Sequence, residues 1–207
     1  MSKLRLFVIR HGETASSRER RFAGSRDIPL TDDGLRQCEA VACALTESFV
    51  TAVYASPLER ARASAEVIAR LHGLPVRIDP SFSEMAFGEW EGLTREEVAA
   101  RFPQAYAQWR STPHLVGPAG GEPLAQVAAR VAGGVEELLG THPGQTVVLV
   151  THAIVARVIV LAALGLGLDR LWAVDAAPAG ITEIEYEPGW ATVHRMNTLA
   201  HLEATVP

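Results

Sequence analysis

Short apolar blocks alternate with longer stretches in which apolar residues recur every three or four positions. The run Leu6-Phe7-Val8-Ile9 predicts a first strand. A polar, arginine-rich loop follows as far as Leu30. Thr31-Asp32-Asp33 predicts a helix start, because its side-chain oxygens can take up free backbone amides. Leu35, Cys38, Val41, Ala42, Leu45 and Phe49 then recur at helical spacing. Ala52-Val53-Tyr54-Ala55 predicts a second strand. Pro57 opens the next helix, where its missing N–H costs nothing, with Leu58, Ala61, Ala65 and Ile68 on the inner face. Val76-Arg77-Ile78 is a weaker third strand.

From Phe82 to Trp109 the pattern changes. Phe82, Phe87, Trp90, Phe102, Tyr106 and Trp109 crowd into this stretch, which predicts a helical insertion closed by a loop at residues 117–121. A long helix with Leu124, Val127, Val131, Val135 and Leu138 on one face comes next. Thr146-Val147-Val148-Leu149-Val150 is apolar on both faces, as a central parallel strand covered by helices on both sides must be. Residues 181–186 and 192–196 predict two late strands joined at Glu187-Pro188-Gly189. The expected architecture is α/β, a mostly parallel sheet with helices on both faces and a small helical insertion at about residues 82–121, in a single domain over 1–207.

Composition narrows the function classes. The 207 residues are 48% hydrophobic and 21% charged, an ordinary globular balance that excludes disordered and fibrous classes. A net charge of −5 argues against a nucleic-acid or anionic-membrane binder. Cys38 and Cys43 are too few for a disulfide framework and read as two small core residues. The longest uninterrupted apolar run, residues 158–168, falls well short of the roughly 20 residues that span a bilayer. With no export signal in the sequence, a cytoplasmic location is expected. The oligomeric state is left open, a homodimer being compatible with the chain.

The chemistry-bearing residues fall at strand ends. Arg10 and His11 follow the first strand, Arg60 lies in the first turn of the helix after the second, and His152 follows the strand ending Val150-Thr151. Taken singly, His152 reads as a hydrogen-bonded core histidine, Arg60 as a solvated helix arginine and Arg10 as an edge charge. Together they point at one rim, the carboxyl end of an open α/β sheet, where ligands bind. Helix N-termini near Pro57 and Ala153 add free amides and positive dipole ends. Such a surface suits a dianionic phosphate.

Arg10-His11-Gly12-Glu13-Thr14 resembles the signature of the histidine phosphatase superfamily, the phosphoglycerate-mutase-like fold. Similar segments follow in that family's order: Asp27-Ile28-Pro29-Leu30-Thr31, Ser56-Pro57-Leu58-Glu59-Arg60-Ala61, the stretch from Glu84 to Gly92, and Thr151-His152. The resemblance implies that His11 accepts the phosphoryl group, that Arg10, Arg60 and His152 hold it, and that Glu84 is the proton donor. It also implies that Thr14, Ser17, Ala23 and Gly24 line the substrate pocket. Ser17 stands where the family usually has Asn, and its shorter hydroxyl would reach phosphate from farther away. Ala153 replaces a glycine, keeping an amide for phosphate but adding a methyl. Ser64 replaces a common Thr.

These residue types make chemical sense. Cations must neutralise a phosphate monoester before a nucleophile can approach. Neighbouring arginines keep an imidazole neutral and nucleophilic. Apolar neighbours Met85, Ala86, Phe87 and Trp90 would desolvate Glu84; Glu13 is the other carboxylate tied to the signature. The expected function is a phosphomonoesterase acting on a small phosphorylated metabolite. It needs no metal or organic cofactor, since zinc-site and P-loop motifs are missing from the sequence. Two alternatives stand beside it: a phosphoglycerate mutase, and a catalytically silent phospho-ligand binder. Residues 82–109 carry Arg95 and Arg101 against Glu84, Glu89, Glu91, Glu96 and Glu97, a net of −3, without the paired arginines a mutase would use for a second acidic group. An aromatic, acidic insertion favours an apolar or sugar-like monophosphate.

Overall fold

The computed structural model describes residues 3–203. Strand β1 (Leu4–Arg10) leads through a one-turn helix α1 (Ala15–Arg18) to α2 (Asp32–Ala44). Next come β2 (Ala52–Ala55), α3 (Glu59–His72) and β3 (Val76–Ile78). The insertion carries 3-10 turns at Pro80–Phe82 and Gly88–Trp90, then α4 (Arg95–Arg101) and α5 (Pro103–Ser111). The rest is α6 (Leu124–Thr141), β4 (Thr146–Thr151), α7 (Ala153–Ala163), a 3-10 segment Leu168–Ala173, β5 (Ile181–Glu187), β6 (Trp190–Thr198) and α8 (Ala200–Glu203). The sheet order is β3-β2-β4-β1-β5-β6. β3, β2, β4 and β1 run parallel; β5 adds antiparallel to β1, and β6 adds antiparallel to β5 at the edge.

The side-chain alternation of the central strands separates two cores. Leu6, Val8, Val147 and Leu149 face a core shared with α6, α7 and the insertion. Phe7, Ile9, Val148 and Val150 face the other, shared with α2 and α3. Thus β4 is covered on both sides, as its unbroken apolar run requires. Trp90 and Trp109, each nearly fully buried, anchor the insertion in the first core. Truncating such a buried indole typically costs about 3–5 kcal/mol.

Three local expectations need correction. α3 begins at Glu59, not Pro57, with Leu58 as an N-cap that lacks a side-chain bond. Asp27, from the preceding loop, accepts the Glu59 N–H at 2.6 Å and does that work from outside the helix. α2 stops at Ala44, so Phe49 is 89% exposed and in the left-handed region at φ 49°. Cys38 is buried but Cys43 is exposed, because five positions put them on different sides of α2.

Candidate active site

The parallel strands β1, β2 and β4 end at one rim, and each supplies the site there. Arg10 is the last residue of β1 and His11 follows it; Arg60 is the second residue of α3 after β2; His152 is the N-cap of α7 after β4. Gly12 makes the turn out of β1 possible. A Cβ there would overlap the Gly34 carbonyl oxygen and stand 2.8 Å from Cys38 Sγ. Its N–H is held by Ser64 Oγ at 3.1 Å.

The structure brings the four predicted residues together. The rings of His11 and His152 lie 5.2 Å apart. His11 Nδ1 is 2.7 Å from the Gly12 carbonyl oxygen, an atom that can only accept. The neutral imidazole therefore carries its proton on Nδ1 and leaves the Nε2 lone pair free. Burial first, then the Arg10 and Arg60 charges, hold the His11 pKa well below its usual value. The same causes, with His11 added, depress His152. His152 is fully buried; its Nε2 bonds Ser56 Oγ at 2.7 Å and its Nδ1 has no partner.

Both arginines are held by backbone carbonyls. Arg10 Nη1 donates to Ala176 O at 2.7 Å, and burial pulls its pKa down to about 10, still cationic at neutral pH. Arg60, 1% exposed, donates from Nη1 to Arg26 O and from Nη2 to Gly24 O, at 2.7 and 2.8 Å. It thereby fixes the loop carrying Ala23 and Gly24, and the left-handed φ of 54° at Gly24 suits a glycine.

Glu84 is half-buried on the same cleft. Its Oε1 accepts the Met85 N–H at 3.0 Å, and its Oε2 accepts Ala153 N–H at 3.1 Å and Ile154 N–H at 3.5 Å. The hydrogen-bond partners of this carboxyl are backbone donors, while Met85 and Trp90 turn into the core. The expected free amides are therefore engaged. The α7 terminus is met by Glu84 and the α3 terminus by Asp27, each supplied by a distant loop. Glu13 is held by Arg18 and Thr31 on its way out of the site, which lowers its pKa, the Arg18 bond first.

Thr14, Ser17, Ala23, Gly24 and Ala153 line the cleft, about 190 Å³ in volume. The Ser17 hydroxyl is committed to its own turn: it accepts from Thr14 N–H and donates to Thr14 O, both at 2.9 Å. The sequence reading missed much of the remaining wall: Arg20, Arg21, Tyr106, Arg110, Arg157, Trp172 and Asp175. The acidic count of the insertion misled. Glu97 turns to the Thr94 N–H and Arg21, and Glu91 to Ser25 and the Phe87 N–H, whereas Arg95 and Arg110 face the cleft. Arg157 had a legible signal, since it stands at i+4 from Ala153 and so on the same helix face. Trp172 and Asp175 lie in a connection with no pattern to flag them.

Among the described residues no group of three or more His, Cys, Asp or Glu side chains is gathered as a metal site would need. No helix among them is long and apolar enough to cross a membrane.

A phosphoserine phosphatase 1 from Hydrogenobacter thermophilus is 32% identical over 199 residues, covering 96% of this chain and 94% of that protein. The bifunctional protein Rv2228c of Mycobacterium tuberculosis is 34% identical over 201 residues; the chain spans 55% of that longer relative. A solved structure of mycobacterial glucosyl-3-phosphoglycerate phosphatase, in complex with VO3, superposes with a TM-score of 0.87 at 30% identity, covering 94% of this chain and 98% of the other. The family profile described as histidine phosphatase superfamily (branch 1) matches residues 6–199, and with the fold, the paired histidines and these relatives in agreement, the chain belongs to that superfamily.

Proposed function

We propose that the protein is a phosphomonoesterase that hydrolyses a small phosphorylated metabolite through a covalent phosphohistidine on His11. One observation carries the reading: a buried imidazole, neutral and with Nε2 unprotonated, beside two arginines whose guanidinium groups are held by backbone carbonyls. Arg10 and Arg60 offset the dianion that would otherwise repel an attacking lone pair. His152 completes the phosphoryl pole; its unpartnered Nδ1 is the ring atom still lacking a hydrogen bond. The names of the relatives, phosphatases of phosphoserine and of glucosyl-3-phosphoglycerate, support a small metabolite ester as substrate.

In the first step His11 Nε2 bonds to phosphorus as the ester P–O bond breaks. Glu84, protonated at that stage, passes its proton to the leaving oxygen. Negative charge then develops on its carboxyl, where the N–H groups of Ala153 and Ile154 already point. In the second step water attacks phosphorus, its proton returns to Glu84, the N–P bond breaks and inorganic phosphate leaves.

The test is His11→Ala with p-nitrophenyl phosphate, alongside trapping of the wild type during turnover. The variant is expected to fold, by circular dichroism, and to lose turnover. The trapped enzyme should carry one acid-labile, alkali-stable phosphoryl group on His11. Full activity in folded His11→Ala would overturn the mechanism.

A further inference from the structure

One ring nitrogen of His152 is taken by a serine from the neighbouring strand, and that bond decides what the other nitrogen can offer. β2 pairs in parallel with β4, with Ala55 opposite Val150. The residue after β2 therefore lies beside the residues that follow Val150, and the Ser56 N–H still donates to the Val150 carbonyl at 3.2 Å. Ser56 and His152 are both fully buried. The sheet thus holds the Ser56 hydroxyl against His152 Nε2, at 2.7 Å.

A hydroxyl has one proton to give and can accept twice. Ser56 Oγ accepts the Leu58 N–H at 3.3 Å, at the entry to α3. Among the described residues, His152 Nε2 is the only acceptor within reach of its own proton. Two arrangements are then possible. If Nε2 carried the ring proton, Ser56 would accept twice and its O–H would lack an acceptor, while Nδ1 would be a bare lone pair without a donor. Two buried polar groups would go unpaired. If Ser56 donates to Nε2, the ring proton sits on Nδ1, and that N–H is the one group left over. The second arrangement leaves fewer buried groups unsatisfied. Its remaining group is a donor, the sign that an anionic phosphoryl oxygen needs. Burial first, then the Arg60 charge, keeps the ring neutral, so the tautomer and not an added proton sets that sign.

We propose that Ser56 is a positioning residue for the reaction: its hydroxyl donates to His152 Nε2 and so fixes the tautomer in which Nδ1–H is offered to the phosphoryl group. The two histidines then carry their protons on the same ring atom for opposite purposes. His11 gives its Nδ1–H to the Gly12 carbonyl and keeps the Nε2 lone pair for phosphorus. His152 spends its Nε2 lone pair on Ser56 and keeps an N–H for a phosphoryl oxygen. Which nitrogen is protonated is set by the bond the other one makes, as elsewhere for histidine. The inference rests on the phosphomonoesterase reading for what the Nδ1–H meets; the tautomer itself rests on the hydrogen bonds alone.

Two-bond 1H–15N correlation spectra of 15N-histidine-labelled protein distinguish a protonated ring nitrogen from a bare one, and His152→Gln assigns the His152 signals. The expected wild-type result is a bare Nε2 and a protonated Nδ1. A protonated Nε2 would overturn the proposal, and this measurement needs no Ser56 variant to fold. Ser56→Ala should let protonated Nε2 appear. It should also weaken inorganic phosphate binding, by calorimetry, and slow p-nitrophenyl phosphate turnover, each roughly ten- to a hundredfold, the range typical when a histidine loses the partner that orients it. Unchanged phosphate affinity and turnover in Ser56→Ala would overturn the proposal. In His152→Gln protein the same substitution should cost nothing further, because the serine acts through the histidine; equal losses in the two backgrounds would also overturn it. Ser56→Thr keeps the hydroxyl and should recover most of the loss. A wild type that fails to turn over p-nitrophenyl phosphate would instead sink the phosphomonoesterase reading, with the tautomer and phosphate affinity still deciding the role of Ser56.

Discussion

Replacing Glu84 by Gln separates proton donation from every other role the side chain has. The carboxyl accepts three backbone N–H groups, from Met85 on Oε1 and from Ala153 and Ile154 on Oε2. A glutamine amide keeps one accepting oxygen, so one side of that arrangement is lost and either Met85 or the α7 terminus faces an NH2. Loss of a cap of this kind costs about 1 kcal/mol of stability. The chemical loss is larger and depends on the substrate. An alkoxide leaving group needs the proton, and general acid catalysis supplies roughly 10²–10⁴-fold where it is needed. A nitrophenolate leaves without help. Glu84→Gln should therefore slow phosphorylation of His11 by at least about a hundredfold with glycerol 3-phosphate, and by less than about tenfold with p-nitrophenyl phosphate. The assay is rapid-quench single turnover, because steady-state rates mix in the later hydrolysis step that uses the same carboxyl. Equal losses on the two substrates would refute the reasoning. Glu13 could not then inherit the role, since Arg18 and Thr31 hold it and it is not part of the cleft wall; Asp175 is the other carboxylate that lines the cleft.

Burial holds His11 and His152 below their ordinary pKa of 6.5, so on acidification the unfolded chain binds protons that the folded one refuses. Stability is then complete above about pH 6.5 and falls below it, by up to about 1.4 kcal/mol per pH unit for each histidine; urea midpoints from pH 7.5 to 5.5 should show the decline, His152→Gln should make it shallower, and a flat profile would contradict the burial argument. Gly12→Ala puts a methyl into the Gly34 carbonyl and Cys38 Sγ, which should cost roughly 1–3 kcal/mol and lower the melting temperature; an unchanged melting temperature would show that the turn out of β1 can yield. Turnover should survive EDTA, and loss on chelation with recovery on adding metal would point to a metal-dependent reaction.

The strands, the long helices and the rim were readable from the chain because each rests on short-range physics. An unbroken apolar run such as 146–150 has one stable setting, between two helical layers, and β4 takes it. Thr31 caps α2 as its place before Asp32-Asp33 predicts, because the bond it makes to the Gly34 N–H spans only three residues. The histidines and arginines at strand ends were legible for a related reason, since topology alone carries the ends of parallel strands to one edge. The N-terminal partners of α3 and α7 were not, because Asp27 and Glu84 come from loops 32 and 69 residues away.

The same distinction decides how the insertion should be read. The net charge of −3 over residues 82–109 is a sum over side chains, and a substrate meets only those on one side. Glu97 is spent on the Thr94 cap and Arg21, and Glu91 on Ser25 and the Phe87 N–H. Arg95 and Arg110 turn inward, and Arg157 reaches the same wall from α7, far along the chain. A segment acidic by composition therefore sends Arg95 and Arg110 to the cleft beside Glu84, while most of its glutamates face elsewhere. Which charges meet the cleft follows from which glutamates the backbone caps and neighbouring loops have already consumed, a quantity that no count along the chain contains.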